Sequence, residues 1–301
     1  MAKSKSFFGL RRGSTKSHTY SVFNGQQVTK DRVDTVKNPR SEAQMIQRMV
    51  MNTCGAAYSA MKEIVDHSFE GKTYGLQSMM YFSSKNANLL RQSVDVEEPE
   101  FAFTMYKYRG LTTGKWLISE GSLASTLVKG AADHASASQT IVTLGTLADA
   151  TITADALMTQ LGVVAGDMAT VCFARGYETW GQHEFGFVRF KFLKGGTEAL
   201  TAGNLSQYVE IESNLPITVA LGSAAAAAVF SVTVTSAVGG LDTYGDAIVA
   251  TIHSRQADGK WLRSTEFFAV AAGNDYYPSW YEALATYPIG QSYVLNGATI
   301  E

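Results

Sequence analysis

The spacing of the hydrophobic residues changes near Pro99, and this change restricts the folds that the chain can adopt. Between residues 42 and 91 the apolar residues recur at helical spacing, whereas after Pro99 they alternate with polar residues in short runs separated by Gly and Asn. Helical spacing predicts amphipathic helices, and short alternating runs predict strands joined by turns. We therefore predict an α+β fold, in which an N-terminal basic arm, a β-hairpin and two helices precede mainly β sandwich-like domains.

The hairpin is predicted at residues 18–36. Strand-like residues flank Asn24-Gly25, and this dipeptide adopts the positive φ angles that a two-residue type I′ turn requires. We expect the two strands to pair on either side of Asn24 and Gly25.

A second local motif, Asn38-Pro39-Arg40-Ser41, marks the start of the first predicted helix. Pro39 disfavours helical backbone at Asn38. Ser41 is a good N-cap, and Gln44 lies three residues later, where it can complete a capping box. We predict that this helix runs from about residue 42 to residue 66.

The remaining elements follow from the same two spacings. A second helix is predicted at 76–91, and a short helix at 154–160 follows Thr153 as its cap. A loop or short turn is predicted at 222–227. The predicted strands cover 101–108, 116–118, 139–145, 169–175, 185–193, 208–212, 216–221, 228–235, 247–255, 260–271 and 291–295.

These elements group into four predicted regions. A chain of 301 residues is long enough for two domains of ordinary size. The regions are a basic arm at 1–17, a hairpin and helical region at 18–95, a β-rich domain at 96–200, and a β-rich, immunoglobulin-like domain at 201–301.

Charge is distributed unevenly along the chain. Residues 1–48 contain ten Lys or Arg and three Asp or Glu, a net charge of +7, whereas the whole chain carries −2, so residues 49–301 carry −9. A basic arm of this kind docks on an acidic neighbouring subunit, binds nucleic acid, or stays a solvated tail. We favour docking on a subunit. The predicted assembly contacts are Lys3, Lys5, Phe7, Phe8, Arg11, Arg12 and Lys16.

No motif in the sequence predicts catalysis or metal binding. None of the five histidines lies three to five residues from another, so paired ligands at metal-site spacing are absent. Cys54 and Cys172 are far apart and have no neighbouring base in the sequence, so we interpret them as core residues. The nucleophile-elbow, phosphate-loop and dinucleotide motifs are also absent. We expect no catalytic residue, no metal site and no cofactor, and therefore no enzyme.

One uncharged stretch raises the question of a membrane span. Residues 213–241 contain no charged side chain, and a helix of that length crosses a bilayer. The stretch is mostly Ala, Ser, Thr and Val, with Asn214 and Pro216 near its start and two strand-like runs within it. We therefore expect strands here and no association with a membrane.

Residues 18–51 resemble a segment of known proteins. They read HTYSVFNGQQVTKDRVDTVKNPRSEAQMIQRMVM. This run resembles the N-terminal signature of an uncharacterised family from Bacteroidota bacteria, their prophages and phages. In that signature a hairpin with a Gly-containing turn precedes Asn-Pro-Arg-Thr/Ser and a helix that opens with Gln and Arg. The matching residues are Gly25, Val28, Val36, Asn38, Pro39, Arg40, Ser41, Gln44 and Arg48.

The resemblance covers roughly 35 of the 301 residues. Because related genes often lie among virion genes, it implies a phage structural role and no catalytic residue. From about residue 95 onward the chain is loosely similar to the immunoglobulin-like C-terminal regions of such proteins. It resembles the structural proteins of crAss-like and related Bacteroides tailed phages more remotely.

Together these features predict a non-enzymatic virion structural protein, such as a capsid accessory protein or a neck or tail ring component, that acts by subunit assembly. The expected partners are further copies of the chain and other virion proteins. The expected location is the virion, assembled in the cytoplasm of the bacterial host. One alternative is a nucleic-acid-binding protein that uses the basic N-terminal region. A second is a surface- or glycan-binding module, suggested by Trp116, Trp180, Trp261 and Trp280.

Overall fold

The computed structural model describes residues 12–23, 26–32, 41–92, 111–112, 114–136, 139–147, 152–176, 182–224, 227–235, 250–270, 293–295 and 298–300. Helices α1 to α5 and strands β1 to β17 are numbered in chain order within these ranges. The helices are Glu42–Ala60, Lys62–Val65, Leu76–Gln92, Ala154–Leu161 and Leu205–Tyr208. The strands are Gly13–Ser14, His18–Phe23, Gln26–Asp31, Leu111–Thr112, Gly114–Ser119, Ala131–Ser136, Gln139–Leu147, Met168–Gly176, Gln182–Phe192, Val209–Ser213, Ile217–Ala224, Ala227–Thr235, Ala250–Ala257, Lys260–Arg263, Glu266–Val270, Tyr293–Leu295 and Ala298–Ile300.

The chain divides into two units, residues 1–41 and residues 42–301. The first unit contains a three-stranded antiparallel sheet in the order β1-β2-β3. Phe23 on β2 lies opposite Gln26 on β3, so two residues connect these strands and the predicted hairpin is confirmed. The turn residues Asn24 and Gly25 lie outside the described residues.

Strand β1 adds to the hairpin and was not predicted. Its residues Gly13 and Ser14 pair with β2. The chain reverses between these strands, where the amide N–H of Thr15 donates to the carbonyl oxygen of His18 at 2.7 Å. The last residues of the predicted basic arm therefore belong to a small sheet, which we call the N-terminal sheet (the described residues of 12–32).

The two predicted helices that follow the hairpin are confirmed. α1 begins at Glu42, directly after the predicted cap Ser41, and α3 covers the whole of the second predicted helix and one further residue. The first predicted helix, however, is divided at Met61, where φ is −103° and ψ is 11°. It therefore forms α1 and the short α2 rather than one continuous helix over 42–66.

The short helix α4 has the predicted start and a well-defined end. The side chain of Thr153 accepts a hydrogen bond from the amide N–H of Ala156 at 3.2 Å, as expected for an N-cap. Gly162 follows the helix with a φ of 72°, a left-handed conformation that favours glycine and ends helices.

Residues 42–301, which we call the body, contain most of the strands. The largest sheet has the order β10-β9-β8-β13-β14, with β4 also paired to β9, and a second sheet has the order β11-β12-β7-β6. β5 pairs with β15, and β16 pairs with β17. All these pairs are antiparallel. Three of these sheets contain strands from both 96–200 and 201–301. The two ranges therefore contribute to the same layers.

The six-stranded sheet is the middle layer of the body, because its alternating side chains enter two different hydrophobic clusters. On β8, Val171 and Phe173 join the cluster that contains α4 and the four-stranded sheet. Cys172 and Ala174 join the cluster that contains α1, α3 and the β5-β15 pair. A sheet covered by a second sheet on one face and by helices on the other gives the sandwich-like α+β architecture that was predicted.

Two details of the strand prediction differ from the structure. The predicted strand at 260–271 is two strands, β14 and β15, which belong to different sheets. The predicted loop at 222–227 is shorter than expected, because β11 continues to Ala224 and β12 begins at Ala227. Of the helices in the described ranges, none has both the length and the apolar composition needed to cross a membrane.

Candidate functional site

The structure describes two of the seven predicted assembly contacts. Arg12 precedes β1, Lys16 lies between β1 and β2, and both residues are exposed. The predicted contacts outside the described residues are Lys3, Lys5, Phe7, Phe8 and Arg11.

The N-terminal sheet contains no buried residue among those whose side chains are described. Tyr20, Val22 and Val28 are half-buried, and most of the other side chains are exposed. The described part of this sheet contains four Lys or Arg and one Asp, a net charge of +3. Most of its described side chains are therefore exposed to solvent, and they carry an excess of positive charge.

The residues of the predicted structural motif are only partly described. Ser41 and Gln44 are exposed, and Arg48 is half-buried with its Nη1 atom 3.9 Å from the sulfur of Met45. The capping hydrogen bonds of Ser41 and Gln44 stay a prediction. The motif residues outside the described ranges are Asn24, Gly25, Asn38, Pro39 and Arg40.

The four tryptophans that suggested a glycan-binding module do not share one environment. Trp116 is fully buried, and its ring stacks on Phe82 with the centroids 6.0 Å apart, so it belongs to the core. Trp261 on β14 is 39% exposed. Trp180 and Trp280 lie outside the described residues.

Both cysteines lie in the core, in agreement with their interpretation from the sequence. Cys54 and Cys172 are fully buried. Burial raises the pKa of the Cys54 thiol to about 12 and also raises the pKa of the Cys172 thiol. A thiol that keeps its proton at neutral pH is a poor nucleophile, so neither side chain is prepared for nucleophilic attack.

A buried ionic network lies at the start of β8 and was not predicted. The carboxylate of Asp167 accepts hydrogen bonds from Arg255, at 2.7 Å from both Nε and Nη2. It also lies 2.8 Å from Nε2 of His253, whose Nδ1 is 2.8 Å from the carbonyl oxygen of Ala124. Burial raises the pKa of Asp167, but the hydrogen bonds from Arg255, Val164 and His253 outweigh burial and hold it below its usual range.

A groove of about 750 Å³ opens on the face of the six-stranded sheet that also carries the helices. The segment 66–74, between α2 and α3, forms one wall. Strands β9, β8, β13 and β14 form the floor, and their register sets two rows of side chains next to each other. The rows are Arg189, Thr170 and Ile252, and then Met168, Ser254 and Arg263. We call this site the cationic groove.

Arg263 has an unusual environment at this floor. Its side chain is buried, and its Nε atom donates to the carbonyl oxygen of His67 at 2.9 Å. Its Nη1 atom is also buried and has no hydrogen-bond partner within the described parts of the chain. Burial, assisted by the nearby charge of Arg189, lowers the pKa of Arg263 to about 10. The fold thus holds a buried guanidinium whose hydrogen-bonding capacity is not fully used.

The sequence contained no local signal for the cationic groove, because its residues come from distant parts of the chain. Within the described ranges, no group of three or more His, Cys, Asp or Glu side chains is arranged to hold a metal ion. No protein-family model matches the chain, and no curated protein or solved structure is significantly similar to it.

Proposed function

We propose that the protein is a non-enzymatic structural protein that assembles with neighbouring subunits through its N-terminal sheet. The observation that carries this proposal is the absence of a buried face in that sheet among the side chains that are described. Three strands are stable on their own only when they have a hydrophobic face to bury. Half-buried Tyr20 and Val22 lie on the same face of β2 and offer such a surface to a partner.

Charge supports docking on another copy of the chain. The described part of the N-terminal sheet carries +3, whereas residues 49–301 carry −9. Opposite net charges on two regions of one polypeptide favour association between copies and steer their encounter. The predicted contacts of the basic arm, Lys3, Lys5 and Arg11 among them, would add to this attraction.

A strand edge that is unpaired among the described residues offers a second route to assembly. In the described part of the chain, β11 pairs on one side only, with β12. Its eight residues contain no Lys, Arg, Asp, Glu or Pro, which are the residues that usually protect an edge from pairing with another chain. An uncharged edge of this kind favours the addition of a strand from a neighbouring subunit.

The setting that we propose is a phage particle, with the protein as a capsid accessory or a neck or tail ring component. This part of the proposal rests on the resemblance of residues 18–51 to proteins of phages and prophages. Its partners would be further copies of the chain and other virion proteins, and no cofactor would be required. Assembly would take place in the cytoplasm of the bacterial host.

Deletion of residues 2–17 tests the assembly function. We expect the shortened protein to fold with unchanged near-ultraviolet circular dichroism but to sediment as a smaller species than the full chain. A variant with Lys194→Gln, an exposed residue of the body, serves as a charge control and should sediment like the full chain. Unchanged oligomeric mass after the deletion would contradict the proposal.

A second candidate function is nucleic-acid binding by the same region, since Arg12, Lys16, Lys30 and Arg32 are all exposed in one small sheet. Phosphate contacts by these side chains would make duplex affinity fall steeply between low and moderate salt. Titration of labelled duplex DNA at several salt concentrations measures this slope. No binding at low salt would remove the candidate.

A further inference from the structure

The cationic groove holds charge that no carboxylate in the described ranges neutralises. Among the described residues, Lys72, Lys260 and Arg263 form no ion pair with a carboxylate. Arg189 is paired with Glu212, which lies on the neighbouring strand β10. Apart from His67, the lining of the groove contains four Lys or Arg side chains and two carboxylates, whereas residues 49–301 as a whole carry −9.

The two carboxylates in the lining are held by other groups. Asp66 accepts hydrogen bonds from the hydroxyl of Tyr58 and from the amide N–H of Gly75. Glu70 accepts from the amide N–H of Ser122 at 2.8 Å and from the hydroxyl of the same residue. Hydrogen bonds from Ser122 lower the pKa of Glu70, and among the described residues neither carboxylate forms an ion pair with a cation of the lining. An anionic ligand would fill the place of the missing counter-charge.

One exposed aromatic ring lies beside these cations, and a second belongs to the same lining. Trp261 is 39% exposed, and the guanidinium of Arg263 lies 4.8 Å from the centre of its ring. Tyr74 is 74% exposed and contacts the ring of His67, with the centroids 5.7 Å apart. An exposed ring next to a charged donor gives a ligand one apolar contact face and one charged anchor.

We propose that the cationic groove binds a carboxylate-bearing saccharide, with Arg263 and Lys260 neutralising the acid group and Trp261 contacting the sugar ring. A saccharide has both the apolar ring face and the hydroxyl groups that suit this lining. The lining has an excess of only two positive charges, which is fewer than a nucleic-acid backbone with many successive phosphates would need. This binding activity goes beyond the proposed assembly function.

The test uses the full chain and isothermal titration calorimetry with three probes. These are trigalacturonate, the neutral sugar maltotriose, and a single-stranded DNA oligonucleotide. We expect trigalacturonate to bind with an affinity that falls as salt increases, and maltotriose to bind at least tenfold more weakly. Equal binding of the two sugars, or binding of neither, would overturn the proposal. Displacement of trigalacturonate by lower concentrations of the oligonucleotide would also overturn it, in favour of a nucleic-acid site.

Variants of the lining test the assigned roles. We expect Trp261→Ala and Arg263→Gln each to weaken trigalacturonate binding by about tenfold or more, and Lys260→Gln by about threefold, since one exposed charge is partly screened. Phe267→Ala and Lys194→Gln replace exposed residues outside the groove and should leave binding unchanged.

If Arg263→Gln does not fold, the variants of the exposed residues Trp261 and Lys260 still test whether the groove binds the saccharide. Unchanged binding in both of these variants would mean that the groove is not the binding site. Deletion of residues 2–17 should leave trigalacturonate binding intact. Failure of the assembly proposal is therefore distinguishable from failure of this one.

Discussion

The N-terminal sheet and the body are both rich in β-strands, yet they place their residues in opposite surroundings. In the body, large side chains such as Trp116, Phe173 and Phe190 are fully buried between layers. In the N-terminal sheet, no described side chain is buried, although the antiparallel pairing is regular from His18↔Asp31 to Phe23↔Gln26. Hydrogen-bonded strands alone therefore do not make a stable unit, because the free energy of folding comes mainly from buried apolar surface.

Because of this difference, we expect mutations in the two regions to change different properties of the protein. Substitutions in the body should change the free energy of unfolding, because its layers share side chains packed at high density. Substitutions in the N-terminal sheet should change association between subunits and have little effect on unfolding. Four variants test this division, from the largest expected effect on stability to the smallest.

The largest loss is expected for Phe190→Ala. Phe190 is fully buried between the two larger sheets, where its ring meets Phe230 edge to face with the centroids 5.5 Å apart. Removing a buried phenyl ring leaves a cavity and costs about 3–5 kcal/mol. Urea denaturation followed by fluorescence measures this loss. The control Phe267→Ala, at a residue that is 42% exposed, should cost less than about 1 kcal/mol.

Asp167→Asn should cost nearly as much. The Asp167 and His253 side chains are 1% and 3% exposed, so the variant leaves buried donors without their counter-charge, a change that costs about 3 kcal/mol. The control Glu210→Gln removes an exposed pair with Lys191 and should cost less than about 1 kcal/mol. Equal losses in the two variants would mean that the buried network contributes no more than a surface pair.

The same carboxyl group should make stability depend on pH. The pKa of Asp167 is lower in the folded protein than its ordinary value. Its contribution is therefore complete above the unfolded pKa of about 4 and is lost as the pH falls through the folded pKa. Denaturation curves between pH 7 and pH 3 should show the difference between wild type and Asp167→Asn shrinking below about pH 4. A difference that grows with acidity would contradict this assignment.

Gly186→Ala should have an intermediate effect. A Cβ atom at Gly186 would lie 2.4 Å from Cζ of Phe173, the residue opposite it on β8. The buried ring would have to move, which costs about 1–3 kcal/mol. Gly55→Ala is the matched control, since a Cβ there meets no atom within 4 Å and the position is inside α1. That substitution should raise stability by up to about 1 kcal/mol. A loss of stability in both variants would indicate a general cost of replacing glycine.

Local features of the chain were predictable from the sequence because neighbouring residues determine them. The side chain of Thr153 caps the start of α4 with a hydrogen bond, and the left-handed backbone of Gly162 ends the helix. β9 has the alternating apolar residues that predict a strand, and β8 is a short, nearly continuous apolar run, which is typical of a strand buried on both faces. β6, with the sequence AADHAS, has no such alternation, and its pairing with β7 depends on the tertiary structure.

The sites were not predictable in the same way, because they join residues from distant parts of the chain. Asp167 is separated from His253 by 86 residues and from Arg255 by 88. The register of three strand pairs brings Arg189 near Arg263, and the segment 66–74 lines the same cationic groove. The spacing of residues along the sequence does not determine which residues of two strands lie opposite each other. The proximity of these side chains could therefore not be predicted before the strand pairing was known.

The smallest effect on stability is expected for Tyr20→Ser in the N-terminal sheet. Tyr20 is half-buried and lies opposite Thr29 on β3, so its loss should change the free energy of unfolding by less than about 0.5 kcal/mol. If a neighbouring subunit covers this face, tyrosine is the type of residue that contributes most to binding. We therefore expect sedimentation analysis to show subunit association weakened by tenfold or more. The control Thr29→Ser should leave both quantities unchanged. A fall in the unfolding midpoint with no change in association would mean that the sheet stabilises its own chain, and the contrast with the body would then disappear.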